Sequence, residues 1–231
     1  MKRKNYVLML LFCSSIIIVS CGKEKNEYVD LGLPSGTLWA TCNIGASTPE
    51  EIGDYYAWGE TEAKEDYSLK TYKFFSEFEK EYGFDKVKNV VKYNFDKTYG
   101  LVDGKTTLDP EDDAAHVNWG GKWRIPTYDE WIELCNTDYC SSTPTIQNGV
   151  KGFKITSVKN GNFIFLPITG FRRESEFWYE GEIGDYWSSS HDPRDKATYS
   201  RCMHFDDVAP VMGWGIGLRS DGFCIRPVRR P

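Results

Sequence analysis

The sequence predicts an α+β domain built around a mostly antiparallel sheet, and three observations predict it. Thr127 and Glu130 form a T-x-x-E capping box ahead of "YDEWIELCN", which opens a helix. Asn160-Gly161 joins "KITSVK" to "FIFLP", and Asn-Gly is the dipeptide that tight hairpin turns favour. The C-terminal half is a series of short strand-like runs separated by turn residues: "GVKGFKITS", "NGNFIFLPITGFR", "GDYWSSS", "TYSRCMHF" and "GFCIRPVRR". Short strands that follow a few helices give this class.

The elements follow in chain order. Residues 1–20 read as a signal peptide: Lys2, Arg3 and Lys4 precede the uncharged run "YVLMLLFCSSIIIVS". That run is short for a membrane span, which needs roughly 20 apolar residues. "EYVDLGLPSGTLWATCNIGA" reads as a strand, a turn at Pro34-Ser35-Gly36 and a second strand through Leu38 to Cys42. "STPEEIGDYYAWGET" carries a helix-start signal, with Thr48 as cap, Pro49 at the first helical position and Glu50 and Glu51 behind it. The charged stretch at about 62–114 reads as a long excursion from the core. It has room for a short helix in "FSEFEKEYGFDKVKNVVKY" and for a helical turn after Asp109-Pro110. Pro126 holds Ile125 extended, and Trp131, Leu134 and Cys135 give the capped helix an apolar face. Trp119 and Trp123 flank the flexible Gly120-Gly121 and are expected to fold back into the core.

Composition narrows the partners. Without Lys2, Arg3 and Lys4 the 28 basic residues fall to 25 against 34 acidic ones, and the formal charge moves from -6 to -9. Nucleic acid is therefore a poor partner. Aromatic residues make up 15% of the chain and can supply a substantial core. Of seven cysteines, Cys13 leaves with the signal and Cys21 is the lipidation candidate, which leaves five. An exported chain can form disulfides, and Cys202–Cys224 and Cys42–Cys135 are the candidate pairs. Five is odd, so at least one thiol is free or pairs between chains. No metal-ligand spacing, catalytic triad or phosphate loop is present, and the sequence points to no cofactor and no enzyme.

Two resemblances add to this reading. Ile18-Val19-Ser20-Cys21 resembles a bacterial lipobox. That implies acylation of Cys21, a lipidated tether over 21–26, attachment to the outer membrane through the lipid alone, and cell-surface display as an open alternative. The pieces "YVDLGLPSGTLWATCNIGA", "GDYYAWGET", "YGLVDGKTTL", "DDAAHVNWGGKWRIPTYDEWIELC", "NGVKGFKIT", "NGNFIFLPITGF", "GDYWSSS" and "GFCIRPVR" occur in order across almost all of 27–231. They resemble the Fibrobacter succinogenes major paralogous domain, a family abundant in Bacteroides-group lipoproteins. The resemblance implies one domain with a C-type lectin-like fold: two main helices packed on a twisted, mostly antiparallel sheet. Family members are exported binding or adhesion modules, which implies an extracellular glycan or protein ligand. A structural or assembly lipoprotein of an envelope or pilus complex is the alternative, and an enzyme akin to formylglycine-generating enzymes a remote one. The calcium-site triplets of sugar-binding lectins do not occur in the chain.

Trp39, Trp119, Trp123, Trp131 and Trp187 are the expected core indoles. A ligand surface is expected where aromatic and charged residues mix in the later loops: Phe171, Arg172, Trp178, Tyr179, Trp214 and Arg219.

Overall fold

The computed structural model of the chain describes residues 26–191, 194, 197–206 and 212–231. The expected signal segment 1–20, Cys21 and all of the tether but Asn26 lie outside the described residues. Tyr186 and Trp187 end strand β10 (Ile183–Trp187). Successive side chains of a strand point to opposite faces, so this pair faces two ways. Trp187 enters one apolar cluster and Tyr186 a second. β10 pairs antiparallel with β11 (Tyr199–Asp206), and β11 pairs with β12 (Gly213–Leu218). On the far side of β10, Trp187 N–H donates to Cys224 O at 3.1 Å, which adds the 223–225 segment to the wall. Phe223 and Ile225 join the first cluster, and Cys224 joins the second.

The second cluster lies under two further sheets and one helix. β1 (Tyr28–Asp30) pairs with β2 (Leu38–Ala40), whose other edge takes β13 (Val228–Arg229). β5 (Cys140–Gln147), β6 (Val150–Ser157) and β7 (Phe163–Pro167) form an antiparallel meander. The β5–β6 turn is Asn148-Gly149, both at positive φ (49° and 85°), as a two-residue hairpin loop of mirror-image type requires. The Asn160-Gly161 turn joins β6 to β7.

Helix α2 (Tyr128–Cys135) starts at the capping box: Thr127 Oγ1 accepts from Glu130 N–H, and Glu130 Oε2 accepts from Thr127 N–H at 2.8 Å. Glu130 also receives two bonds from Arg124, at 2.6 and 2.5 Å, and one from Thr37 Oγ1 at 2.7 Å. One buried carboxylate thus ties the helix start to β2 and to the strand-like Arg124, which bridges β13.

The predicted fold class is not the one that forms. Among the described residues the α-helices are α1 (Ala114–Trp119), of six residues, and α2, of eight. Everything else regular is short strands in several small sheets, with brief 3-10 turns. Two main helices packed on a sheet are therefore replaced by a mostly β structure. Gly120 and Gly121, at φ 70° and 60°, end α1 after Trp119. The expected helix after Thr48 does not form, because the segment's backbone is used elsewhere. Tyr56 N–H donates to Phe223 O and Trp58 N–H to Arg219 O, so the stretch runs extended against the wall. "FSEFEKEYGFDKV" is not helical either. It is the hairpin β3 (Phe75–Glu81) and β4 (Phe84–Val90), turned at Tyr82-Gly83.

Segment 62–114 is no excursion from the core. Tyr67, Tyr72, Phe74, Phe75, Val87, Val90 and Tyr93 are buried and make up much of the first cluster. Its Asp112 is buried with it and takes bonds from Lys73, Lys92 and Tyr93.

Both expected disulfides are absent: Cys42, Cys135, Cys140, Cys202 and Cys224 are all free thiols. Cys202 lies opposite Trp187, and Cys224 bridges Tyr186, so the two sulfurs face opposite sides of the wall. Cys135 Sγ packs 3.7 Å from Met203 Sδ instead of meeting Cys42. Burial raises the thiols of Cys202 and Cys224 above the ordinary range.

Glu130 gives the fold a definite acid limb. Burial raises its pKa, but the bonds from Arg124, Thr127 and Thr37 outweigh burial and hold the carboxyl at about 2. The folded value lies below that of the unfolded chain. The stabilisation is therefore full above about pH 4.5 and is lost as pH falls towards 2, a change of roughly 3 kcal/mol. Chemical unfolding of Glu130→Gln is expected to show lower stability at pH 7 and a flatter pH dependence between 5 and 2 (about 3 kcal/mol less change). An unchanged acid limb would contradict this role.

Candidate functional site

The chain enters the site at Gly170. Its φ is +60°, its N–H donates to Ile183 O at 2.7 Å, and a side chain there would collide with Trp178 O. The next residues form β8 (Phe171–Arg173), a two-residue turn at Glu174-Ser175, and β9 (Glu176–Trp178), with Phe171 opposite Trp178 and Arg172 opposite Phe177. The inner edge of β8 is fastened to the wall. Arg172 N–H donates to Gly222 O at 2.9 Å, and Gly222 N–H returns to Arg172 O at 2.8 Å. Arg173 makes a two-pronged pair with the buried Asp221, at 2.8 and 2.7 Å. Burial pushes the Asp221 carboxyl up and the Arg173 bonds act against it, while the same bonds raise Arg173. Tyr67 N–H donates to Glu174 O at 2.8 Å and holds the turn.

On this base stand three consecutive exposed aromatic side chains: Phe177 at 50%, Trp178 at 43% and Tyr179 at 51% exposure. The Trp178 ring lies nearly parallel to Phe171, tilted by 13° with centroids 6.4 Å apart, and Tyr179 lies 6.0 Å from the same ring. Phe171 in turn meets Phe223 of the core at 5.7 Å. On the other face Phe177 is held by the Arg172 guanidinium at 4.1 Å and by the edge of Tyr55 at 5.6 Å. The hairpin is a rigid support for a wet aromatic surface.

Of the expected ligand residues, Arg172, Trp178 and Tyr179 meet here. Phe171 is a correction: it is buried and serves as the floor under the exposed rings. Arg219 is a second correction. It is fully buried, donating to Tyr93 O at 2.7 Å and Ser200 Oγ at 3.2 Å and lying 3.0 Å from His191 Nε2. Trp214 sits apart on β12, opposite Met203; its side chain lies outside the described part of the structure. Phe177 was missed, although the run "FWY" between glutamates marked it. The expected core indoles Trp39, Trp131 and Trp187 are fully buried and Trp123 nearly so, whereas Trp119 is half-buried and meets Trp123 edge-on at 5.0 Å. Trp58, outside the expected set of core indoles, is also fully buried.

Two other features compete and carry less. A polar cleft of about 640 Å³ opens at the start of α2, between Thr106, Thr107, Tyr128, Asp129, Ser190 and Arg201. Much of its polar lining is already engaged: Ser35 bonds Glu133, Thr127 bonds Glu130, and Ser190 Oγ accepts from Tyr128 N–H. Asp109, Glu111 and Asp112 bring their oxygens together, but Lys92 already pairs with all three. No protein-family model, no curated protein and no solved structure matches the chain, so the site is read from its geometry.

Arg173→Met is expected to loosen the hairpin without unfolding the domain. Amide exchange should rise at least tenfold over 171–179 and stay unchanged in β6 and β11. Exchange that rises everywhere, or nowhere, would contradict the fastening.

Proposed function

We propose that this protein is an exported, lipid-anchored recognition module that captures an extracellular ligand on the β8–β9 hairpin. The observation that carries the reading is the placement of Phe177, Trp178 and Tyr179, all half-exposed, on a hairpin whose base is locked by Arg173–Asp221 and Gly222. Aromatic side chains leave water at a large gain and lose little conformational freedom when they bind. Tyr82 and Phe84 at the β3–β4 turn are exposed as well, but Phe177, Trp178 and Tyr179 are consecutive on one fastened hairpin, and contiguous exposed apolar surface of this kind marks interaction sites. The lipobox-like Ile18–Cys21 supports anchoring at the outer membrane, and the resemblance to the Fibrobacter succinogenes major paralogous domain supports a binding or adhesion role.

Two outcomes are expected. Glycan and host-protein arrays probed with the mature chain should give a ligand whose binding drops at least tenfold in Trp178→Ala, with the unfolding midpoint unchanged. Equal binding by that variant would overturn the assignment. Metabolic labelling with a palmitate analogue should mark the full-length protein and not Cys21→Ala. Label retained by the variant would overturn the anchor.

A further inference from the structure

The charges around the three rings go further than the rings themselves. Within 174–182 stand Glu174, Glu176, Glu180 and Glu182, all exposed, and none makes an ion pair with a described residue. The neighbouring cations are taken. Arg173 is bound to Asp221, and Arg172 is drawn onto the Phe177 ring and towards Glu65. The surface is therefore aromatic at its centre and anionic around its rim, on a mature chain of formal charge -9. An ammonium group gains twice at such a place, from the negative faces of the indole and phenol rings and from the carboxylates. A neutral or acidic ligand gains from the rings alone, or is repelled.

The backbone indicates what carries the charge. Arg172 gives both its N–H and its C=O to Gly222, so the bonds between β8 and β9 run through Phe171–Trp178 and Arg173–Glu176. The alternation of an antiparallel ladder then turns the Phe177 N–H and C=O outward. β9 pairs with β8 alone and forms the outer edge. An extended peptide can add to that edge, its backbone meeting Phe177 and its alternate side chains reaching the glutamate rim.

We propose that the β8–β9 hairpin binds an extended, lysine-rich segment of a partner protein, pairing it along β9 and holding its ammonium groups between Trp178, Tyr179 and the glutamates. This rests on the recognition reading above and specifies its ligand. The test uses the mature chain with three probes: an end-capped hexapeptide of alternating lysine and threonine, the same peptide with acetylated lysines, and a neutral cello-oligosaccharide. Calorimetry is expected to show binding of the first peptide that weakens at least tenfold from low to high salt. The acetylated peptide should bind at least tenfold more weakly. Glu176→Gln with Glu180→Gln should weaken binding of the first peptide tenfold without moving the unfolding midpoint, since both groups are exposed and unpaired. Equal affinity for the two peptides, or no loss in the double variant, would overturn the proposal. Binding of the oligosaccharide alone, lost in Trp178→Ala, would overturn it while leaving the aromatic surface as a ligand site. Failure of all three probes would overturn it as well. The array screen of Trp178→Ala then decides the recognition reading separately.

Discussion

Everything in this fold leans on one alternation, Tyr186 one way and Trp187 the other. Because a strand sends neighbouring side chains to opposite faces, the end of β10 must be covered on both sides at once. Trp187 stacks on Phe223 at 4.1 Å and donates from its indole nitrogen to Tyr56 O at 2.7 Å. Tyr186 stacks on Phe205 at 5.8 Å and donates to Pro167 O at 2.8 Å. A wall with two apolar faces cannot be satisfied by one layer of cover. The charged middle of the chain and the β5–β7 meander are thus both needed, on opposite sides. The same alternation keeps Cys202 and Cys224 apart.

Buried cations then fix how the layers meet. Arg226 has no exposed surface and no carboxylate. It donates instead to Ala40 O, Thr41 O, Phe165 O and Asn43 Oδ1, so that one side chain joins β2 to β7. Arg219 does the corresponding work on the other face, reaching Tyr93 O and Tyr199 O. Burial lowers both guanidinium pKa values, and several oxygen acceptors meet each fork. These arginines bind backbone, which is why their sequence context gave no sign of burial.

Local signals in the sequence were legible and long-range ones were not. The capping box at Thr127–Glu130 and the hairpin at Asn160-Gly161 are set by residues within a few positions of one another, and both form, the hairpin through a longer loop over 158–162 than a tight Asn-Gly turn. Asn148-Gly149 carried the same turn signal and would have revealed β5. The segments around Thr48 and Phe75 were misread for different reasons. Around Thr48 the partners that claim the backbone, Phe223 and Arg219, are distant in sequence, whereas around Phe75 the competitor was a local hairpin turned at Tyr82-Gly83. For the site, "FWY" between glutamates was readable as an aromatic cluster. The separation of the floor, Phe171, from the rings above it required knowing which face of the hairpin meets the core.

The stretch 221–229 has a mechanical consequence. Asp221 and Gly222 hold the aromatic hairpin, and Val228 and Arg229 hold β2, whose other neighbour is β1 at the start of the domain. Tension applied between Trp178 and Tyr28 is therefore carried by this segment, whose Phe223, Cys224, Ile225 and Val228 are embedded in the two apolar clusters. At one end it loads the Arg173–Asp221 fork, and at the other it loads two short ladders at once. The fork, the ladders and the interior that grips the segment between them share the load, so such a grip would give way only as they yield together.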